Sequence, residues 1–399
     1  MRPVNHHPAI EVLATSLRLG LTSFGGPVAH LGYFEHAYVT TRRWLTGAEY
    51  ASLVALCQVL PGPASSQVSF LVGLHRAGWP GALAAWLGFT LPSALLMVMA
   101  ALLAARVEGP VAGAVLHGLK LVAVAVVAQA VWTMARRLCT DVPTRSLAVA
   151  ATLLLLLAGG TGTQLAVLLL GATVGMLWCR QGGPEVRVAA GLVSPRVAFA
   201  ALAGFALLLA GLPLVARLAP DGLVPLAEVF YRAGALVFGG GHVVLPLLRE
   251  ALVPAGVVSD GVFLTGYGFA QALPGPLFTF AAYLGAAGTG VASPLAGALV
   301  ALVAIFLPGL LLAVAGVALW GRLAAHGPVR GALNGLNAVV VGILAAALYD
   351  PVWVTAVGSV ADVAIAAAGL LLLERWRVSP VVVVALTVMA AGLPALVPG

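Results

Sequence analysis

The six-residue pattern Gln-x-Leu-Pro-Gly-Pro occurs twice, at Gln58–Pro63 and at Gln271–Pro276, 213 positions apart. Pro61, Gly62 and Pro63, like Pro274, Gly275 and Pro276, must interrupt a helix, because proline removes a donor and collides with the preceding turn. Proline also suits the first position of a new helix. The amides after Pro63 and Pro276 would then form two helix N-termini, each attractive to an anion. Ser65 and Ser66 add donors after the first break, and Thr279, between Phe278 and Phe280, after the second. A single proline kink would serve helix packing alone. Duplication, with Gln58 and Gln271 at each break, favours a ligand site.

Two glycine motifs repeat at nearly the same interval: Phe24-Gly25-Gly26 and Phe238-Gly239-Gly240-Gly241. Glycine pairs weaken a helix interior and let backbones approach closely. They read either as tight helix crossings or as unwound segments lining a solute path. Arg18 and Arg232 each stand six positions before the phenylalanine. An arginine at the centre of a membrane helix costs about 2.5–3.5 kcal/mol, which a bound anion in a shared cavity would offset. Guanidinium matches the oxygens of a tetrahedral oxyanion. The competing reading is snorkelling toward the interface from a depth of about 12 Å. His242, after the glycine triplet, and His30 and Glu35, near the exit of the first span, are candidates to carry a coupling proton, histidine titrating in the useful range.

These residues sit in a chain of 399 residues that is 61% hydrophobic and 8% charged. Soluble domains carry about 25% charged residues, so the composition is that of a membrane protein. Apolar runs long enough to cross a bilayer recur throughout. They read as thirteen spans: 10–32, 49–74, 79–105, 112–135, 146–158, 162–178, 197–217, 225–247, 262–286, 293–319, 331–350, 353–373 and 379–396. The fold class is an all-α polytopic membrane protein with broken helices. The net charge of +7 reflects arginines in loops, where they set orientation, rather than a nucleic-acid surface. With the N-terminus inside, thirteen loop arginines fall on the cytoplasmic side and four, Arg42, Arg43, Arg106 and Arg217, outside. Reading 49–74 and 262–286 as re-entrant hairpins spoils that bias, so both are taken as crossings, with the C-terminus outside.

Cys57, Cys139 and Cys179 show no metal-ligand spacing and read as buried small hydrophobes. No phosphate-binding loop, H-E-x-x-H or Ser/His/Asp constellation stands out. The expectation is therefore a transporter rather than an enzyme, with no cofactor and no bound metal.

The motifs belong to an internal repeat. In addition, Leu91-Pro92 matches Leu307-Pro308, and Leu116-x-Gly-Leu matches Leu333-x-Gly-Leu, in the same order. The chain divides into a first repeat at 1–178, a linker with one extra span at 179–217, and a second repeat at 218–399. An odd number of crossings between equivalent points inverts the second half. Inverted repeats with matching broken helices mark a secondary transporter with a midplane site.

The set Phe24 to Phe34 (F-G-G-P-x-x-H-x-G-Y-F), Arg42 to Leu45 (R-R-W-L), Phe238 to Leu248 (F-G-G-G-H-x-V-x-P-L-L) and both Gln-x-Leu-Pro-Gly-Pro copies resembles the chromate ion transporter family in its long, two-half form. That resemblance covers roughly residues 10–140 and 225–350. It implies export of chromate from the cytoplasm through the inner membrane, chromate resistance, energy from a membrane gradient, and sulfate as the look-alike oxyanion. Import of sulfate or another solute by the same architecture, or a membrane enzyme on lipid-linked substrates, are the competing readings. The glycine-rich faces would serve packing within one chain or in a homodimer.

Overall fold

A computed structural model describes residues 8–104, 110–158, 160–179, 192–238, 241–290, 293–323 and 327–396. Among them every regular element is helical. Helices 64–104, 113–138, 195–218, 294–319 and 327–356 are long and apolar enough to cross a bilayer, and the protein is a multi-pass membrane protein of two intertwined halves.

Each half opens with two helical hairpins. In the first, α1 (Pro8–Thr22) stops at the Phe24-Gly25 break and α2 (Gly26–Phe34) runs back, extended by a π-helical turn over Glu35–Thr41. Gly25 and Gly26 make the reversal with φ of 94° and 76°. The ends meet where Glu11 pairs with Arg42 at 3.2 Å. The second hairpin is α3 (Gly47–Val59) and the opening of α4 (Ala64–Ala104), joined by Pro61-Gly62-Pro63. Thr46 and Glu49 form a capping box that starts α3. At the base of this hairpin Arg76 reaches back to Trp44, 5.7 Å from its ring, and to Glu11 at 3.0 Å. Ala77 and Gly78 leave helical geometry, and 79–104 then makes a full crossing.

The first half continues through α5 (Pro110–Leu138), α6 (Val142–Ala158) and α7 (Gly160–Trp178), and α8 (Pro195–Leu218) leads to the second. The second half repeats the scheme. Its hairpins are α9 (Leu223–Leu236) with α10 (Val244–Leu252), and α11 (Asp260–Ala272) with α12 (Phe280–Ala287). Val229 and Ala233 of α9 share a cleft with Ala251 and Leu247 of α10. The amide of Thr289, beyond α12, donates to Val257, before α11, at 3.0 Å. The chain continues through α13 (Pro294–Leu323), α14 (Gly327–Ala347), the short α15 (Val354–Ala356), α16 (Val360–Glu374) and α17 (Pro380–Leu396).

This corrects the expectation of thirteen crossings. The segments 10–32, 49–74, 225–247 and 262–286 fold back to the end from which they started. Each carries enough apolar length to cross, but its central break divides it into two short helices, and hydropathy does not distinguish a kink from a reversal. The charge pattern also changes once all four segments are hairpins. Arg42, Arg43, Arg76, Arg136, Arg137, Arg145, Arg196, Arg322 and Arg330 gather at the end that holds the bases of the first two hairpins. Of the other described arginines at helix ends, Arg217 and Arg249 lie at the opposite end, and Arg375 and Arg377 follow the end of Val360–Glu374.

The halves exchange helices. α6 and α7 pack on α14, while α16 and α17 pack on α5. Close approach along these seams uses glycine: Gly171 and Gly175 face Gly335 and Gly331.

Candidate functional site

The two Pro-Gly-Pro tips reach the middle of the protein and are held there reciprocally. The amide of Gly62 donates to the carbonyl of Val237 at 2.8 Å, and the amide of Gly275 to the carbonyl of Ser23 at 2.9 Å. Each tip thus closes on the glycine break of the other half. Gly62 and Gly275 need to be glycine: their φ angles are 110° and 100°, and a Cβ would stand 2.8 Å from Gly309 or from Ser93. Pro61, Pro63, Pro274 and Pro276 are buried and shape the tips.

The two tips lead into different local structures. After Pro63, α4 begins at once, its first intrahelical bond running from Gln67 to Pro63 at 3.0 Å. The amides of Ala64, Ser65 and Ser66 precede that bond and have no acceptor within the helix. Gln67 Nε2 donates to Pro61 and Gly309, both at 2.8 Å, locking the turn. Ser66 Oγ, Gln67 Oε1, Ser23 Oγ and His30 Nε2 are buried without a partner. After Pro276 the chain makes a 3₁₀ turn over Leu277–Thr279. The Thr279 hydroxyl is spent within the protein, donating to Pro276 at 2.8 Å and lying 2.7 Å from Ser93 Oγ.

A cavity of about 350 Å³ lies against the first tip. Gln58, Leu60, Gly62 and Ala64 form one wall, Gly25 and Pro27 a second, and Gln129, Thr133 and Arg137 of α5 a third. His242, Gly241 and Asn337 also line it, and among the described residues no Asp or Glu does. A water occupies about 30 Å³ of liquid, so the space admits a small anion with part of its hydration. Of its α5 lining, Gln129 is half-buried and Thr133 and Arg137 are exposed, so the cavity opens toward Arg137 and the arginine-rich end. The equivalent space at the second tip is about 10 Å³, bounded by Gly25, Gly26, Gln271, Gly275 and His242. Leu277 occupies there the place that Ala64 holds at the first tip. His242 borders both spaces, and its Nδ1 is hydrogen-bonded to the Tyr267 hydroxyl at 2.6 Å.

The structure therefore brings together Gly25, Gln58, Gly62, Gly241 and His242 in the large cavity, and Gly26, Gln271 and Gly275 in the small one. Ser65 and Ser66 are buried behind the first tip, and Phe24 and Phe238 flank the breaks half-buried. Gly239 and Gly240 lie outside the described residues. His30 sits behind the site, its Nδ1 3.5 Å from Ser65 Oγ. Glu35 is exposed near the hairpin base.

The arginines are not brought into either space. Arg18 is exposed on the outer face of α1. Arg232 lies in a separate shallow cleft and pairs with Glu228, one helical turn earlier, at 2.6 Å. The cation at the cavity is Arg137, which sequence reasoning counted among the loop arginines. Its signal was the spacing of Gln129, Thr133 and Arg137, four residues apart on one helix.

The family model for chromate transporters matches residues 10–176 and 224–393. A chromate transport protein of Pseudomonas aeruginosa is 31% identical over 96% of this chain and 91% of its own length. A chromate transport protein of Cupriavidus metallidurans is 28% identical, covering 83% of this chain and 80% of its own. A probable chromate transport protein of Synechococcus elongatus is 27% identical over 86% and 85%. No solved structure gives a significant match.

Proposed function

The chain belongs to the chromate transporter family, and from that premise we propose that it exports chromate across the cytoplasmic membrane as a secondary transporter. The observation that carries the proposal is the cavity against the first tip. It joins a helix N-terminus, neutral amide and hydroxyl groups and one arginine, with no carboxylate among the described residues that line it. Such a wall can replace part of the hydration shell of a tetrahedral oxyanion and leaves a cation without a counter-charge.

Orientation follows from charge. Cytoplasmic loops are enriched in arginine, so the end bearing nine of the helix-end arginines faces the cytoplasm, and the cavity opens inward. Between the base of the first hairpin and that of the third, the crossings are 79–104, α5 and α8, with α6 and α7 leaving and returning together. Their number is odd, so the third hairpin enters from outside. The large open space at one tip and the closed one at the other are the two ends of an alternating-access cycle.

The test is chromate uptake into everted membrane vesicles with an imposed ion gradient, in the presence and absence of excess sulfate. Gradient-driven uptake that sulfate competes away is the expected result. Uptake absent in protein shown to be folded would remove chromate as the substrate. Uptake indifferent to every gradient would remove secondary transport.

A further inference from the structure

Gln129, Thr133 and Arg137 stand four positions apart on α5. That spacing puts them on one helix face, and all three line the 350 Å³ cavity. Eight residues of helix extend about 12 Å, so the row runs from the mouth at Arg137 inward to Gln129, beside the first Pro-Gly-Pro tip. The neighbouring arginine does not share this role: the Arg136 guanidinium lies 5.8 Å from the Trp132 ring, away from the cavity. Asn337, on the opposite wall, adds a further neutral amide.

The second half has no such row. At the repeat interval the three positions correspond to Ala346, Asp350 and Val354. Two cannot donate a hydrogen bond from a side chain, and the third carries a negative charge, 3.8 Å from Arg249. The track is therefore built on one side of the pseudo-symmetric site only, the side that is open here.

We propose that Gln129, Thr133 and Arg137 form the track by which a doubly charged oxyanion reaches the first tip, with Arg137 as the capturing residue. This deepens the anion-transport reading and rests on it. A guanidinium at the mouth of a low-dielectric cavity raises the local concentration of anions and favours a dianion over a monoanion. The amide and hydroxyl farther in take over its oxygens as water is shed.

The experiment compares wild type with Arg137→Gln, Arg137→Lys, Arg136→Gln and Thr133→Val in chromate uptake by everted vesicles, at low and high ionic strength. Arg137→Gln should raise KM by about tenfold or more, with Vmax within about twofold. It should also flatten the dependence of uptake on salt. Arg137→Lys should recover most of the loss, since the point charge remains. Thr133→Val should raise KM severalfold with the salt dependence kept, and it tests the track independently if Arg137→Gln does not fold. Arg136→Gln should behave as wild type. Wild-type kinetics in Arg137→Gln, or an equal rise in KM for Arg136→Gln, would overturn the track while leaving chromate transport intact. Absence of uptake in the wild type would instead overturn the transport reading beneath it.

Discussion

The amide of Gly62 and the carbonyl of Val237 lie 2.8 Å apart, joining the second hairpin of one half to the broken helix of the other. The pair Gly275 and Ser23 repeats the bond with the halves exchanged, at 2.9 Å. Both bonds depend on a backbone that only glycine adopts without strain, and they hold the first tip at the wall of the cavity and the second at the wall of the small space. The pseudo-twofold relation of the repeats is thus a physical contact as well as a pattern in the sequence.

Gly62→Ala should lower stability by at least about 1–2 kcal/mol from the left-handed backbone alone, with more from the crowding against Gly309. Thermal unfolding in detergent measures it. Gly32→Ala is the control, since no neighbour lies within 4 Å of its added Cβ. Equal melting temperatures for the two variants would show that the tip does not depend on this backbone.

The hairpin topology is tested by labelling with a membrane-impermeant thiol reagent, in a background lacking Cys57, Cys139 and Cys179. Ala48→Cys and His75→Cys should label from the same face, and Ala255→Cys and Thr289→Cys from the opposite one. If residues 48 and 75 label from different faces, 49–74 crosses the membrane after all.

Arg249 donates to Asp260 at 2.9 Å and lies 3.8 Å from Asp350, tying three elements at the end opposite the cavity mouth. At the repeat interval these positions correspond to Glu35, Gly47 and Thr133, so the cavity end lacks this tie at the matching positions and is joined instead by Glu11 with Arg42 and Arg76. Removing one partner of a half-buried pair leaves the other uncompensated. Arg249→Gln should shift the population away from the state in which the large cavity is open, seen as severalfold slower labelling of Thr133→Cys from the arginine-rich face. The charge swap Arg249→Asp with Asp260→Arg should restore the rate. Unchanged labelling in the single variant would remove the tie from the cycle.

Leu277 is buried at the second tip where Ala64 stands at the first. Leu277→Ala removes a buried side chain, at a typical cost of about 2–5 kcal/mol, and should open the smaller space. The expected readout is chromate leak through vesicles without an imposed gradient. A tight but destabilised variant would mean that Leu277 serves packing only.

Much of the site is legible in the sequence because proline and glycine act on their own backbone. The breaks at Pro61–Pro63 and Pro274–Pro276, and Gly25 and Gly26 before the first, lie where the motifs place them. The reversal at each break is not legible, since it depends on contacts such as Glu11 with Arg42 and Thr289 with Val257, between residues distant in sequence. The arginines mislead for a different reason. Depth along a span says nothing about the direction of a side chain, and Arg18 points outward while Glu228, four residues before Arg232, already balances it. That last pairing follows helix spacing and is legible.

The exchange of helices also bears on how the chain is made. When the first half leaves the ribosome, α5 has no α16 or α17 to cover it, and the Gly62 amide has no Val237 to receive it. Apolar faces can wait in lipid, but the exposed backbone of a reversed tip cannot be satisfied there. The early hairpins must therefore be lodged late, or sheltered by the insertion machinery until the remaining helices arrive. Synthesis of the first half alone would yield a membrane-inserted chain with an unfinished centre.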